Sequence, residues 1–270
     1  MKRQLHRLLG PDGRILICAM DHVAFMDKRL AGLVDYGAKV RCAVDGGIDA
    51  FLAPLGSISA FADDFGPAAV VASVPTGDAF LPTAVERALA VGSDAIKCMA
   101  YPFTGDDSLD RAQRLGADAF RLGLPFIVES IPGGFEQTDK HTPEAIAVGA
   151  RLAAEAGADL VKTFYTGDPE TMRQVIAYAA VPVIVLGGAA KGSLRDLLSE
   201  VRESVVEAGC AGVAIGRNIW ESTDPAGVTR GLAAIIHRGL SVDEALAVAH
   251  GPSVDAPIPP VLVAAGRVSG

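Results

Sequence analysis

Short apolar runs bounded by glycine, proline or charge recur along the chain and alternate with longer stretches of helical periodicity. The first run, 15–20, is wholly apolar and stops at Asp21-His22, the pattern of a strand buried on both faces. Runs of the same kind predict strands over 49–53, 69–73, 94–99, 125–129, 181–186 and 212–215. Another strand is entered after Gly157 and carries Lys162. Between them, period-3.6 patterning predicts helices over 36–45, 83–91, 108–122, 143–156, 171–179 and 194–208, with two more at 226–237 and 242–249. Strand and helix alternate about eight times, which implies a parallel sheet with crossover helices. A weak internal echo supports this. Gly47, Gly92, Gly157 and Gly209 each stop a helix just before a strand, at spacings of about two strand–helix units. These are expected to mark the even-numbered strands of a closed barrel. The main rival, a doubly wound open sheet, lacks a G-x-G-x-x-G after the first strand, and Gly187 to Ser193 has the wrong order for a P-loop. The chain therefore reads as one (β/α)8 TIM-barrel domain, 1–270. The barrel occupies about 14–250, a short N-terminal helix caps one end, and a Pro-rich C-terminal extension covers 251–270.

Composition narrows the function. Half of the 270 residues are apolar, ample for a sizeable core, yet no apolar stretch reaches the ~18 residues of a membrane span. The basic segment from Met1 to Leu9 lacks the long apolar core of a signal peptide. A net charge of −8 argues against nucleic acid as a partner and leaves room for a small phosphorylated substrate held in a local pocket. Cys18, Cys42, Cys98 and Cys210 form no C-x-x-C pair and fit free thiols in a reducing cytoplasm. The five histidines form no ligand cluster, so no metal site is expected. A homo-oligomer is expected.

Lysine is almost never buried without a partner, yet Lys162 follows directly on buried strand residues, with Phe164 and Tyr165 behind it. Desolvation lowers a lysine pKa by up to ~3–5 units and makes the amine nucleophilic near neutral pH, the property of a Schiff-base enzyme. Barrel active sites lie where strands end and their following loops begin. There the chain places Asp21 on strand one, Lys97 on strand four, Glu129 on strand five and Lys162 on strand six. One strand-end charge is commonly a residue reaching solvent, but two acids and two lysines on one face point to a single polar pocket. Gly187-Gly188 ends strand seven and Gly216-Arg217-Asn218 ends strand eight, the loops that form the usual phosphate site of this fold. Arg217 would add a forked contact.

The segments Asp159-Leu160-Val161-Lys162-Thr163, Tyr165-Thr166-Gly167-Asp168, Gly187-Gly188 and Gly212-Val213-Ala214-Ile215-Gly216-Arg217-Asn218-Ile219 resemble the archaeal-type class I fructose-bisphosphate aldolases and 2-amino-3,7-dideoxy-heptulosonate synthases. Met20-Asp21-His22 is similar to that family's first-strand motif. The resemblance is strongest over about 143–249. It implies a cofactor-free aldolase or aldol synthase acting on a phosphorylated keto sugar, with dihydroxyacetone phosphate a possible donor. Lys162 is then the Schiff-base lysine, Asp21 a catalytic acid and the loops of strands seven and eight the phosphate site. One departure stands out. Ile131-Pro132-Gly133-Gly134 replaces the family's Tyr-Pro-Arg-Gly-type motif, so its acid/base tyrosine is missing. Asp94-Ala95-Ile96-Lys97 and Phe126-Ile127-Val128-Glu129 look instead like the tagatose-bisphosphate and sulfofructose-phosphate aldolases, where a glutamate shuttles the proton and a second lysine lines the site. Glu129 is accordingly the expected proton shuttle, its pKa raised by burial against the opposing pull of the lysines. Lys97 is expected to orient substrate hydroxyls and, as a nearby cation, to favour a neutral Lys162. His22 is either a substrate contact or a packing residue, and Tyr101 either a substitute phenol or a structural tyrosine. Tyr165 is expected beside the Schiff base, and Lys191 in solvent. Two other readings fit the same residues: a thiolase-like acyl transferase on this barrel, and a non-catalytic phosphosugar-binding barrel.

Overall fold

The computed structural model describes residues 3–26, 29–75, 80–188 and 192–251. Eight strands, β1 Ile15–Ala19, β2 Ala50–Pro54, β3 Ala69–Ser73, β4 Ala95–Ala100, β5 Phe126–Ser130, β6 Leu160–Thr163, β7 Val183–Leu186 and β8 Gly212–Ile215, pair in parallel and in sequence order, and β8 closes on β1. Around them run α1 Val23–Met26, α2 Tyr36–Asp45, α3 Leu55–Ala60, α4 Ala84–Ala90, α5 Ser108–Leu122, α6 Pro143–Glu155, α7 Pro169–Ala179, α8 Leu194–Val201, α9 Arg217–Trp220, α10 Pro225–Arg238 and α11 Val242–Ala249. The expected barrel is present. The polar alternation of α3 and the brevity of α1 left both without a helical signature in the sequence. The predicted helix over 194–208 is α-helical only to Val201 and continues as a wider π-type turn, Arg202–Glu207. Helix α7 starts at Pro169, ahead of the expected 171, because Asp168 caps it through the Thr171 N–H and proline is preorganised for a first turn. The Pro-rich stretch 252–270 and Lys191 lie outside the described residues.

Strand side chains alternate, and here the alternation separates two cores. Leu16, Cys18, Phe51, Val70, Ile96, Phe126, Val128, Val161, Val185 and Val213 face outward into the helical layer. Ile15, Ile17, Ala19, Ala50, Leu52, Val71, Ala95, Ile127, Leu160, Ile184 and Ala214 fill the interior. Leu5 and Leu8, from the short helix Arg3–Arg7 and the turn after it, belong to that interior cluster, so the N-terminal segment plugs the barrel. Cys18, Cys98 and Cys210 are buried and, with Cys42, unpaired. Among the described residues no helix is long and apolar enough to cross a membrane.

The glycine echo has a structural basis. Gly47, Gly92, Gly157 and Gly209 all sit in the left-handed region, at φ 85°, 76°, 98° and 93°, where the helix turns back toward the sheet. Two residues after the first three comes an aspartate whose carboxylate accepts the backbone N–H of the preceding strand or its entry. Asp49 takes Leu16 at 2.6 Å, and Asp94 and Asp159 take Val70 and Phe126 at 2.9 Å each. The fourth unit has Ala211 at this place, and only its own backbone N–H reaches across, to the Val183 carbonyl.

Candidate active site

The inward set that builds the barrel interior ends in polar side chains. On β3 it runs Ala69, Val71, Ser73; on β4, Ala95, Lys97; on β5, Ile127, Glu129; on β6, Leu160, Lys162. Asp21 continues the β1 set two residues beyond Ala19. One parity rule thus delivers all four ionisable residues to the same end of the barrel. They form a chain of ion pairs. Lys162 Nζ lies 2.6 Å from Glu129 Oε1, Lys97 Nζ lies 2.9 Å from Glu129 Oε2, and Lys97 Nζ donates to Asp21 Oδ2 at 2.8 Å. Ser73 Oγ donates to the same Asp21 oxygen at 2.7 Å. All four ionisable side chains are at most 6% exposed.

Burial alone would push both carboxyls up and the Lys97 amine down. Pairing wins in each case. Against burial, Lys97 and then Lys162 hold Asp21 below the ordinary carboxylate range, and Lys162 and then Lys97 do the same for Glu129. Burial would lower the Lys97 amine, but Asp21 and Glu129 raise it above the ordinary lysine value. Glu129 therefore rests as a carboxylate, which corrects the expectation of a raised pKa: two ammonium groups on its two oxygens outweigh its desolvation.

Asp21, His22, Glu129, Lys162, Gly187, Gly188, Gly216 and Arg217 line one cavity of about 390 Å³, together with Met26 and Phe135. The expected phosphate loops thus meet the lysine–glutamate pair. Arg217 donates to the Gly188 carbonyl at 2.8 Å and ties the two loops together. Gly216 is dictated by space, since a Cβ there would lie 2.4 Å from both the Ala19 carbonyl oxygen and His22 Cε1. His22 packs edge-on against Trp220, at 5.4 Å between ring centres, whose indole N–H holds the Ala19 carbonyl. Burial pushes the His22 imidazole below its ordinary value, against the pull of Asp21.

Three expected residues are placed elsewhere. Lys97 is not among the residues lining the cavity; it is 2% exposed and bridges the two carboxylates that do line it. Tyr101 borders a neighbouring cavity, its hydroxyl 3.1 Å from Met99 Sδ, and burial raises its phenol above the ordinary value. Tyr165, three residues past Lys162 and so of the opposite parity, packs against the outer core and donates to Glu203 at 3.4 Å. Ile131, at the position of the absent tyrosine, is fully buried. Sequence reasoning missed Ser73, which the same parity would have found, and Phe135, which no periodicity announces. Among the described residues no group of three His, Cys, Asp or Glu side chains is placed to hold a metal ion.

The chain has known relatives. Residues 15–222 match the model of the DeoC/LacD family aldolases. The chain is 32% identical over 255 residues to the class 1 fructose-bisphosphate aldolase of Thermoproteus tenax, covering 89% of this chain and 96% of that one. It is 31% identical over 249 residues to the 2-amino-3,7-dideoxy-D-threo-hept-6-ulosonate synthase of Halobacterium salinarum, covering 88% and 92%. An archaeal fructose-1,6-bisphosphate aldolase, solved with its catalytic lysine covalently bound to the carbinolamine intermediate of its substrate, superposes with a TM-score of 0.75 at 29% identity, over 87% of this chain and 99% of that one. With a closed barrel, a buried lysine–glutamate pair and a match running through all eight strands, the chain belongs to the DeoC/LacD family of aldolases.

Proposed function

We propose that this aldolase cleaves or forms a C–C bond in a phosphorylated keto sugar through a Schiff base on Lys162, with dihydroxyacetone phosphate as the donor half. The observation that carries the reading is the Lys162–Glu129 contact of 2.6 Å in the wall of the cavity, both groups almost wholly withdrawn from solvent. Glu129 takes a proton from Lys162, and the freed amine attacks the ketone carbon. Glu129 gives that proton to the carbinolamine hydroxyl, which leaves as water; an iminium remains and Glu129 is again a carboxylate. In the cleavage direction the bond between C3 and C4 breaks, its electron pair moves to the iminium nitrogen, and the C4 hydroxyl proton passes to Glu129. An aldehyde leaves, the enamine takes a proton at C3, and hydrolysis returns the amine. Positioned proton transfer of this kind contributes ~10²–10⁴-fold.

The remaining residues have supporting parts. Lys97 holds Asp21 and Glu129 apart and ionised, and Ser73 orients Asp21. Gly188 and Gly216 offer backbone N–H groups and Arg217 its guanidinium to the phosphate, beside Gly187, whose own N–H is held by the Ala214 carbonyl. The four unpaired cysteines favour a reducing cytoplasm as its setting.

The test is borohydride reduction with ketose phosphates, followed by intact-mass and peptide mapping. A substrate-sized adduct on Lys162, lost in Lys162→Ala, is expected. Mapping of the adduct to Lys97, or restoration of chelator-treated enzyme by zinc without any trapping, would overturn the assignment.

A further inference from the structure

The cavity is electrically one-sided. Arg217 and the glycine loops of β7 and β8 supply its anion-binding end. Three strands back around the ring, the loop after β5 supplies Phe135, and Met26 adds a second apolar side chain. Phe135 also borders the neighbouring cavity of about 330 Å³, whose charged lining residues are Asp106 and Glu136. A second phosphate at the far end of a sugar would therefore meet an aromatic ring and, past it, two carboxylates. Among the described residues lining either cavity, the only cationic side chains are Lys162 and Arg217, both already assigned.

Phe135 is held where it is. Gly133 and Gly134 take φ of 72° and 70°, and a Cβ on Gly133 would come within 2.9 Å of Lys140 and Gln137 side-chain atoms. The Ile131 and Gly133 N–H groups donate to the Ala100 and Pro102 carbonyls at 2.9 and 2.7 Å. His141 Nε2 meets the Gly134 carbonyl at 2.9 Å, its ring lies tilted against Phe164 at 4.2 Å, and Phe164 meets Phe135 edge-on at 6.4 Å. The Ile-Pro-Gly-Gly segment that replaces the expected tyrosine motif thus leads into an aromatic side chain in the wall of the cavity that Glu129 also lines.

We infer that Phe135 is a specificity-determining residue and that the acceptor half of the substrate is an aldehyde without phosphate, so the substrate is a ketose monophosphate phosphorylated only on its donor half. This rests on the Schiff-base aldolase reading above. Apolar contact favours an uncharged acceptor, and like-charge juxtaposition disfavours a charged one.

The experiment compares fructose 1-phosphate with fructose 1,6-bisphosphate in cleavage. It also compares butanal with glyceraldehyde 3-phosphate as acceptors for dihydroxyacetone phosphate, with borohydride trapping run alongside. The monophosphate and butanal are expected to be favoured in kcat/KM by at least ~10-fold. Phe135→Arg is expected to shift that ratio toward the phosphorylated partner by a similar factor, and Phe135→Ala to raise KM for butanal more than it lowers kcat. Trapping with both ketoses and a preference for the bisphosphate in the native enzyme overturns the inference while leaving the Schiff-base reading intact. A native preference that Phe135→Arg leaves unmoved removes Phe135 from the specificity role. Failure to trap any ketose phosphate overturns the underlying reading, and the inference with it.

Discussion

Deleting the Lys97 ammonium would leave Asp21 and Glu129 buried on either side of an empty place, with their shared cation gone. Removing one partner from a buried ion pair costs about 3–5 kcal/mol, so Lys97→Met is expected to lower the melting temperature markedly. Its pH profile is the sharper readout. The two carboxyls are held low partly by Lys97, so without it both shift upward, and the acid limb of kcat/KM moves to higher pH. An unchanged acid limb would make Lys97 structural only. Glu129→Gln removes the proton carrier beside Lys162 and is expected to cost at least ~100-fold in turnover while leaving an adduct that borohydride can trap. Tyr101→Phe is expected to cost far less, since that hydroxyl faces Met99 outside the cavity; the reverse ranking would move the acid/base to the loop after β4. The identity of the four central residues was legible because Lys97, Glu129 and Lys162 sit at inward positions of strands and Asp21 keeps the same parity two residues past β1. Their electrostatics were not. Lys97 pairs with Ile127 across the β4–β5 ladder, two residues below Glu129, and only its long stem brings the ammonium up between the acids. No pattern of apolar and polar letters encodes that reach.

At the scale of elements, the repeated glycine-then-aspartate device accounts for much of what the sequence disclosed. A left-handed glycine releases the chain from the helix, and the aspartate two residues later takes a backbone N–H at the start of the preceding strand. Each pair thus sets both a helix stop and a strand register, which is why the echo marked alternate strands correctly. Asp94 tests the device. Asp94→Ala would leave the Val70 N–H without its side-chain acceptor and remove the ion pair to Arg7. An unsatisfied buried backbone donor costs about 1–3 kcal/mol, and the exposed Arg7 contributes little to that figure. Denaturant unfolding should therefore show a loss in that range, with Asp94→Asn recovering part of it through its amide oxygen. A loss near zero would mean that water replaces the carboxylate at Val70. The elements that escaped the sequence are those with no periodic signature: α1, of four residues, and α3, whose Leu-Gly-Ser-Ile-Ser-Ala offers Ile58 as its one buried side chain. Phe135 escaped for the same reason, being placed by two consecutive left-handed glycines and an edge-on contact with Phe164 after the neighbouring strand.

Across the whole molecule, a histidine joins segments that are far apart in sequence. His237, in the last turn of α10, sits between the carboxylates of Asp12 and Asp49, with Nδ1 and Nε2 each at 2.8 Å. Asp49 is the residue that also receives the Leu16 N–H, so one imidazolium ties the turn before β1, the entry to β2 and the last turn of α10 together. The neighbouring Arg14 guanidinium is engaged by the Ile236 carbonyl. The Asp49 hydrogen bond raises His237 most, burial opposes it, and Asp12 adds to the rise, bringing the imidazole to about 9 from an ordinary 6.5. A histidine whose folded pKa is raised stabilises the fold fully below the unfolded value. That contribution fades as pH rises through the folded value, so it is complete below about 6.5 and lost through about 9. His237→Gln should therefore melt below the native protein at pH 6, and the gap between the two melting temperatures should close as pH climbs past 9. The direction is set by the sign of the shift: an imidazole stabilised in its neutral form would open the gap with rising pH instead. A pH-independent gap would mean that His237 contributes packing and neutral hydrogen bonds, and that the clamp between the first two strands and α10 carries no charge.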